Sequence, residues 1–435
     1  MTHFRKLAAA MFLLSSAFAA GLLAQEKMTL QQFIDEAVRN SAAVQIAGES
    51  VSGAEYRIQE ARSQVLPQVS LGSTYTRLSL VSEFDVPGLG HFKFGTADNL
   101  SLRVGASAPV FTWGRVSKTV QMSRIGKGIA QDSLALTSQM LAYQVVPIFY
   151  GVLFTGEAVK VIDAALASLD GKLAILEERF RAGLVSDLDI ALLKVQTSGL
   201  KSQRLDFLNS LNDMMMAYNR IAGRPLESTF VPDASLAFEP LRAEAATLLA
   251  EAVANRPEAK LVRSQKELAQ TQIGLARTAN KPNLYASFNY EYRNGYLPNV
   301  VVIKGLWNAS LSVSYPIFDG KRTSAQVAQA QVSLRAVEDQ ASDMEKGFGL
   351  EIAQGLADLQ TFEGKIAIET TKIEYAEKAL KIADERYRNG LLSMTELVDA
   401  QNSLDTARLN YLQLVYNHIL GRFSLLKAAG RKLVN

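Results

Sequence analysis

Carboxylates and histidines are the side chains from which this sequence could build chemistry, and their spacing decides which kind. Glu396 and Asp399 stand three residues apart, so a helix places both on one face. Glu396 also follows Ser393 by three residues, where a capping box puts its acid, and Asp189 stands in the same relation to Ser186. Asp399 lies a turn further in and has no capping role. Repeated around an axis, such carboxylates attract cations and bind multivalent ones. Catalysis lacks its parts. There is no cysteine; of three histidines, His3 falls in the N-terminal apolar segment, His91 between strands, and His418 alone on a helix as a packed or pore-facing residue. No metal cluster or triad can be assembled around them. The expectation is a protein that is not an enzyme, with no catalytic or metal site and no cofactor.

The acids sit in a segment that occurs twice. "RFRAGLVSDLD" at Arg179 to Asp189 is answered by "RYRNGLLSMTE" at Arg386 to Glu396, an offset of 390 − 183 = 207 residues. "SAPVFTWGR" and "SYPIFDGKR" repeat at the same offset, 316 − 109 = 207. One fold built by duplication is expected. In each copy a glycine, Gly183 or Gly390, suits the left-handed position that ends a helix, and the serine three residues on caps the next one. The segment predicts a helical hairpin turn, made twice.

Long helices must lead into these turns. Leu141, Val145, Ile148, Val152, Thr155, Val159, Ile162, Leu166, Leu169, Leu173, Leu176 and Phe180 recur at alternating steps of three and four, a heptad seam. Ile366, Ile373, Leu380 and Tyr387 repeat it more weakly in the second copy. A helix from about Val116 to Ala182 would span about 100 Å, with a kink expected at Pro147. The returning helix packs through Leu397, Ala400, Leu404, Ala407, Tyr411 and Leu414. Its other face, from Glu396 to Asn417, is polar and poor in positive charge, as is the face through Asp189, Gln196 and Asp206 in the first copy.

Before each long helix the period changes to two. "LSLRVGASAPV" and "WNASLSVSYPI" alternate apolar with polar residues, and each has an upstream companion, "PQVSLGSTYTRLSL" and "PNLYASFNYEYR". Amphipathic strands of about 10 to 14 residues with aromatics fit a transmembrane β-barrel, and equally an ordinary half-buried sheet. Four strands cannot close a barrel, since about eight is the smallest number. Two copies would give a filled barrel, and three copies, with 4 × 3 = 12 strands, one with a lumen.

The N-terminus "MTHFRKLAAAMFLLSSAFAAGLLAQ" reads as a secretory signal, with cleavage placed after Ala24, while a cut after Ala19 fits the A-x-A pattern better through Ala17 and Ala19 but leaves an apolar start. With Lys+Arg 46 against Asp+Glu 43, there is no basic excess to suggest nucleic acid. An exported chain without cysteine has no disulfide framework, so packing or oligomerisation must hold it.

Strand, strand, long helix and shorter helix, given twice, with the "PVF" and "PIFDGKR" lead-ins and the paired "RFRAGLVS" and "RYRNGLLS" hairpins, resemble the TolC family of outer-membrane efflux channels over nearly all of the mature sequence. The resemblance implies an α+β membrane protein: a homotrimer sharing a 12-stranded outer-membrane β-barrel and a long periplasmic α-helical barrel. It would be the exit channel of a tripartite efflux pump or type I secretion system, working with a periplasmic adaptor (membrane fusion) protein and an inner-membrane pump or ABC transporter, in contact with outer-membrane lipid. By position, Gly183, Leu184, Ser186, Gly390, Leu391 and Ser393 correspond to the tips that touch the adaptor. Glu396 and Asp399 fall at the acidic ring of the pore entrance, Asp189 and Tyr387 in the gate network. The chain departs at Leu392 from the family's best-studied type, which has an arginine there that would pair with Asp189.

The corresponding division is a signal peptide over 1–24, an N-terminal helical segment over 25–65, the first strand pair over 66–112 and the first long helical hairpin over 113–223. An equatorial region with a helix over 224–281, the second strand pair over 282–318 and the second hairpin over 319–430 follow. The alternative of another class is a periplasmic coiled-coil scaffold protein, whose heptads would serve assembly alone.

Overall fold

The computed structural model describes residues 26–93, 95–183, 185–295 and 302–433. The signal segment lies outside them. The chain divides into two compact units. One comprises residues 47–133 and 260–343, the other the remaining described residues.

The first of these units holds the sheet. Strands β2 (Gln68–Arg77), β5 (Asp98–Phe111), β7 (Asn283–Arg293) and β8 (Lys304–Ser314) are hydrogen-bonded in that order, every neighbour antiparallel. Register makes the apolar sides continuous: Leu71 opposes Val104, Val104 opposes Tyr290, and Tyr290 opposes Trp307. This face is uncovered, with Leu71 71%, Leu311 67% and Trp307 69% exposed, far more apolar surface than a sheet in water leaves open. The opposite side joins polar partners, Ser287 to Ser310 through their hydroxyls at 2.7 Å and Asn289 to Asn308 at 3.1 Å. Among the described residues β2 pairs only with β5, and β8 only with β7, so both edges of the sheet are open.

The loop between β2 and β5 contains a small hairpin that composition had hidden, β3 (Glu83–Val86) with β4 (Gly90–Lys93). His91, read as a loop residue, bridges Asp85 at 2.8 Å and Glu83 at 3.1 Å there.

The long helices belong to both units: residues 115–133 and 322–343 fall in the sheet unit, while the hairpin turns and the returning helices fall in the other. Helix α3 (Arg115–Arg181) and helix α7 (Arg322–Arg388) each run 67 residues, and both ends differ by the duplication offset, 322 − 115 = 207 and 388 − 181 = 207. They return through α4 (Asp187–Ala222) and α8 (Met394–Ala428). Helices α1 (Leu30–Asn40) and α2 (Ala42–Ser63) precede the first copy, and α5 (Ala245–Asn255) and α6 (Pro257–Ala276) precede the second. A short parallel pair, β1 (Glu26–Met28) with β6 (Phe230–Pro232), joins segments about 200 residues apart.

One 18-residue window of α3 is apolar enough to cross a membrane by composition alone. Its surroundings give another reason. Val145, Val146, Phe149 and Val152 are buried in a core with Phe33, Tyr218 and Phe230, and Phe33 stacks on Tyr218 at 3.5 Å between ring centres. Pro147 lies inside the same helix, and its carbonyl accepts a hydrogen bond from the Tyr416 hydroxyl at 3.2 Å.

Most of the seam is buried as far as Leu176, with Ile148, Val159 and Leu173 partly so, but Phe180, its last expected member, is 43% exposed. The helix ends one residue later at Arg181. His418 resolves as a packed residue: fully buried beside Ile366, Val415 and Ile419, edge-on to Phe238, with Glu363 at 3.5 Å.

Candidate functional site

The two hairpin turns are built by local chemistry and brought together by the seam. Gly183 and Gly390 both have φ +72. The Gly390 amide donates to the Tyr387 carbonyl and the Leu391 amide to the Arg386 carbonyl, which satisfies the carbonyls that a helix end leaves open. In the first copy the Gly183 amide donates to Phe180. Leu184 lies outside the described residues. Leu391 is 74% exposed, an apolar side chain offered to solvent at the turn.

Both capping boxes form. Asp189 accepts from the Ser186 amide at 3.1 Å and its hydroxyl at 2.9 Å; Glu396 accepts from the Ser393 amide at 2.9 Å and its hydroxyl at 2.7 Å. These bonds from Ser393 hold the Glu396 carboxyl below its ordinary range, so it is ionised at neutral pH. Asp399 is exposed on the next turn of α8, and its carboxylate makes no ion pair among the described residues.

Tyr387 and Asp189 are in electrostatic range of each other. The Tyr387 hydroxyl is buried without a hydrogen-bond partner; burial pushes its pKa up, Asp189 adds to this, and Arg179 opposes it. A cleft of about 480 Å³ separates the two turns, lined by Arg179, Ser186, Asp189, Tyr387 and Ser393 among others. Leu392 packs into the apolar cluster of the hairpins with Met394 and Leu397.

Sequence reasoning missed two features. Arg179 reaches the Arg388 carbonyl from its Nη2 at 3.4 Å and so ties the end of α3 to that of α7. Deeper in, Gln401 is buried on α8: its Oε1 accepts from Lys172 at 3.1 Å and its Nε2 donates to Asp405 at 3.0 Å. Burial pushes the Lys172 ammonium pKa down and the Asp405 carboxyl pKa up. The available signal was Gln401 and Asp405 at steps of four from Leu397, polar residues on an otherwise apolar stripe. Above them a groove of about 510 Å³ opens between α3 and α7.

No group of three or more potential metal ligands occurs among the described residues. Two long helical hairpins, with paired turns at one end and an open-edged amphipathic sheet in the chain, define what known proteins must match. The profile of the family described as "Outer membrane efflux protein" matches residues 33–223 and 248–431. The chain belongs to the outer membrane efflux protein family. That family consists of channel proteins rather than enzymes, and its members lie in the outer membrane.

Among its relatives is the solvent efflux pump outer membrane protein SrpC of Pseudomonas putida, 22% identical over 406 residues, covering 92% of this chain and 85% of that protein. The outer membrane protein TolC of Vibrio cholerae serotype O1 is 21% identical over 384 residues, covering 86% and 84%. The crystal structure of VceC from Vibrio cholerae superposes with TM-score 0.75 at 19% identity, covering 93% of this chain and 96% of that one. The open-state MtrE channel of Neisseria gonorrhoeae gives TM-score 0.74 at 18% identity, covering 93% and 89%. These structures establish the family fold for this chain.

Proposed function

We propose that this chain is the outer-membrane exit channel of a tripartite efflux pump or type I secretion system, assembled as a homotrimer. The observation that carries the reading is the sheet: an uncovered apolar face and two unpaired edges on one four-stranded unit. Inside a lipid bilayer every backbone donor and acceptor must be paired, and only a closed barrel achieves that with strands. Three copies closing edge to edge give 4 × 3 = 12 strands and a lumen lined by the polar face. A scaffold protein in water would have no use for Trp307, Leu311 and Val313 in the open.

In this reading the α-helical hairpins of three copies form the periplasmic tunnel. The turns at Gly183, Leu184 and Ser186 and at Gly390, Leu391 and Ser393 meet a periplasmic adaptor that links the channel to an inner-membrane transporter. Glu396 and Asp399 ring the entrance, and Asp189 and Tyr387 belong to its gate. Passage is passive, as in a channel that takes its substrate from the inner-membrane transporter. The native mass of the protein purified in non-ionic detergent tests the assembly. Three chains per particle are expected; a detergent-free monomer that keeps its full strand content would contradict it.

A further inference from the structure

We infer that the polar face of the sheet carries a binding site for multivalent anions at its end nearest the β7–β8 connection, formed by Arg103, Arg293 and Lys304. The inference rests on the barrel reading above, in which this face lines the lumen. Register puts the charges together. Arg103 stands directly opposite Glu291 on β7, and Arg293 directly opposite Lys304 on β8. Arg103 and Glu291 form an ion pair at 3.1 Å, with the Glu291 side chain only 15% exposed. Among the described residues Glu291 is the sole acid on this face of the four strands, so its charge is already taken. Arg293 and Lys304 are exposed and make no ion pair among the described residues.

Two like charges directly opposite on one sheet face destabilise it. A bound anion removes that cost. Nothing nearby offers to replace it: the stretch from Asn294 to Ile303 contains no charged residue, and Glu83 and Asp85 are engaged by Lys93 and His91 in their own hairpin. Arg77 and Asp98 pair with each other on the apolar side. Each chain therefore contributes two uncompensated cations to the lumen, and three chains contribute 2 × 3 = 6. Guanidinium and ammonium groups facing one space suit phosphate-type oxyanions, the guanidinium by forked hydrogen bonds and the ammonium as a point charge.

The probe is inorganic tripolyphosphate, titrated calorimetrically into the full-length protein in non-ionic detergent at about 50 mM salt, where screening is weak. Binding is expected, and the double variant Arg293→Gln, Lys304→Gln should lose on the order of tenfold in affinity or more. Glu291→Gln, which frees Arg103, should strengthen binding, a gain that a merely structural role for Glu291 would not produce. No binding by the parent, equal binding by the double variant, or weaker binding by Glu291→Gln overturns the site. Anionic-lipid micelles displacing tripolyphosphate while the double variant keeps both ligands would also overturn it, by assigning the binding to a headgroup site elsewhere. Conductance in zwitterionic bilayers separates the two readings. Pores that conduct without tripolyphosphate binding defeat the anion site alone, whereas binding without pores defeats the channel and leaves the site.

Discussion

The duplication sets the register in which one copy of the sheet must pair with the next, and cysteine pairs can read it. Strand β5 corresponds to β8 at an offset of 207, and β2 corresponds to β7 at 282 − 67 = 215, from the prolines that precede them. The correspondence holds inside the chain, because Ser70 opposite Gly105 maps onto Tyr285 opposite Ser312. Applied to the pair Arg103 and Glu291, it places Ser310 of one copy opposite Thr76 of the next. Applied to Val104 and Tyr290, it places Leu311 opposite Tyr75. Directly opposed residues have Cα atoms about 4.5 to 5.5 Å apart, within disulfide reach. A slip of two residues adds about 6.8 Å along the strand and opens the Cα separation to about 8 to 9 Å, beyond the limit of about 7 Å for a bridge. The chain has no cysteine, so introduced pairs report without background. Thr76→Cys with Ser310→Cys, and Tyr75→Cys with Leu311→Cys, should each yield covalent trimers on non-reducing gels after mild oxidation. Thr74→Cys with Ser310→Cys should stay monomeric. Cross-linking of the offset control as efficiently as the matched pairs, or none in intact trimers, would refute the argument.

Three further outcomes are expected. Gly183→Val or Gly390→Val should cost about 1 to 2 kcal/mol through the left-handed backbone, with no clash, because an added Cβ meets nothing within 4 Å at either position; export should fail while trimers still insert, and unchanged export in both variants would remove the turns from the adaptor contact. Burial holds the His418 pKa below its ordinary value, with Glu363 opposing and Arg422 assisting, so the neutral ring stabilises the fold above pH of about 6.5 and that stability is lost as pH falls toward the folded value; thermal unfolding at pH 7.5 and 5.5 should show a drop that His418→Gln largely abolishes, and equal drops would locate the effect in other groups. Lys321 sits at φ +67, so Lys321→Gly should relieve about 1 to 2 kcal/mol of backbone strain against about 0.5 to 1 kcal/mol of added chain entropy; a higher midpoint is expected, and a lower one would mean that the side chain holds the turn.

Local chemistry was legible in the sequence, and distant chemistry was not. The turns at Gly183 and Gly390 and their serine caps follow from residues within one turn of each other, and the main strands from strict alternation. The β1–β6 pair involves three residues on each side, about 200 positions apart, and leaves no periodic trace. The β3–β4 hairpin has strands of only four residues around a turn with Pro87 and Gly88, and so reads as loop. Lys172, Gln401 and Asp405 interrupt apolar stripes, and a stripe read for its hydrophobic members passes over them. Phe180 shows the reverse failure, since a heptad pattern cannot say where burial stops.

Conductance of the purified trimer in a planar bilayer tests the central claim most directly. Discrete cation-preferring pores are predicted, blocked by trivalent cations added from the helical end, with Asp399→Ala weakening the block more than any change in the strand loops. In Glu396→Ala, Asp399→Ala the preference and the block should both collapse. Selectivity and block identical to the parent in that double variant would reduce these acids to a helix cap and a surface charge and place the gate elsewhere. Trimers that insert and never conduct would contradict the channel itself.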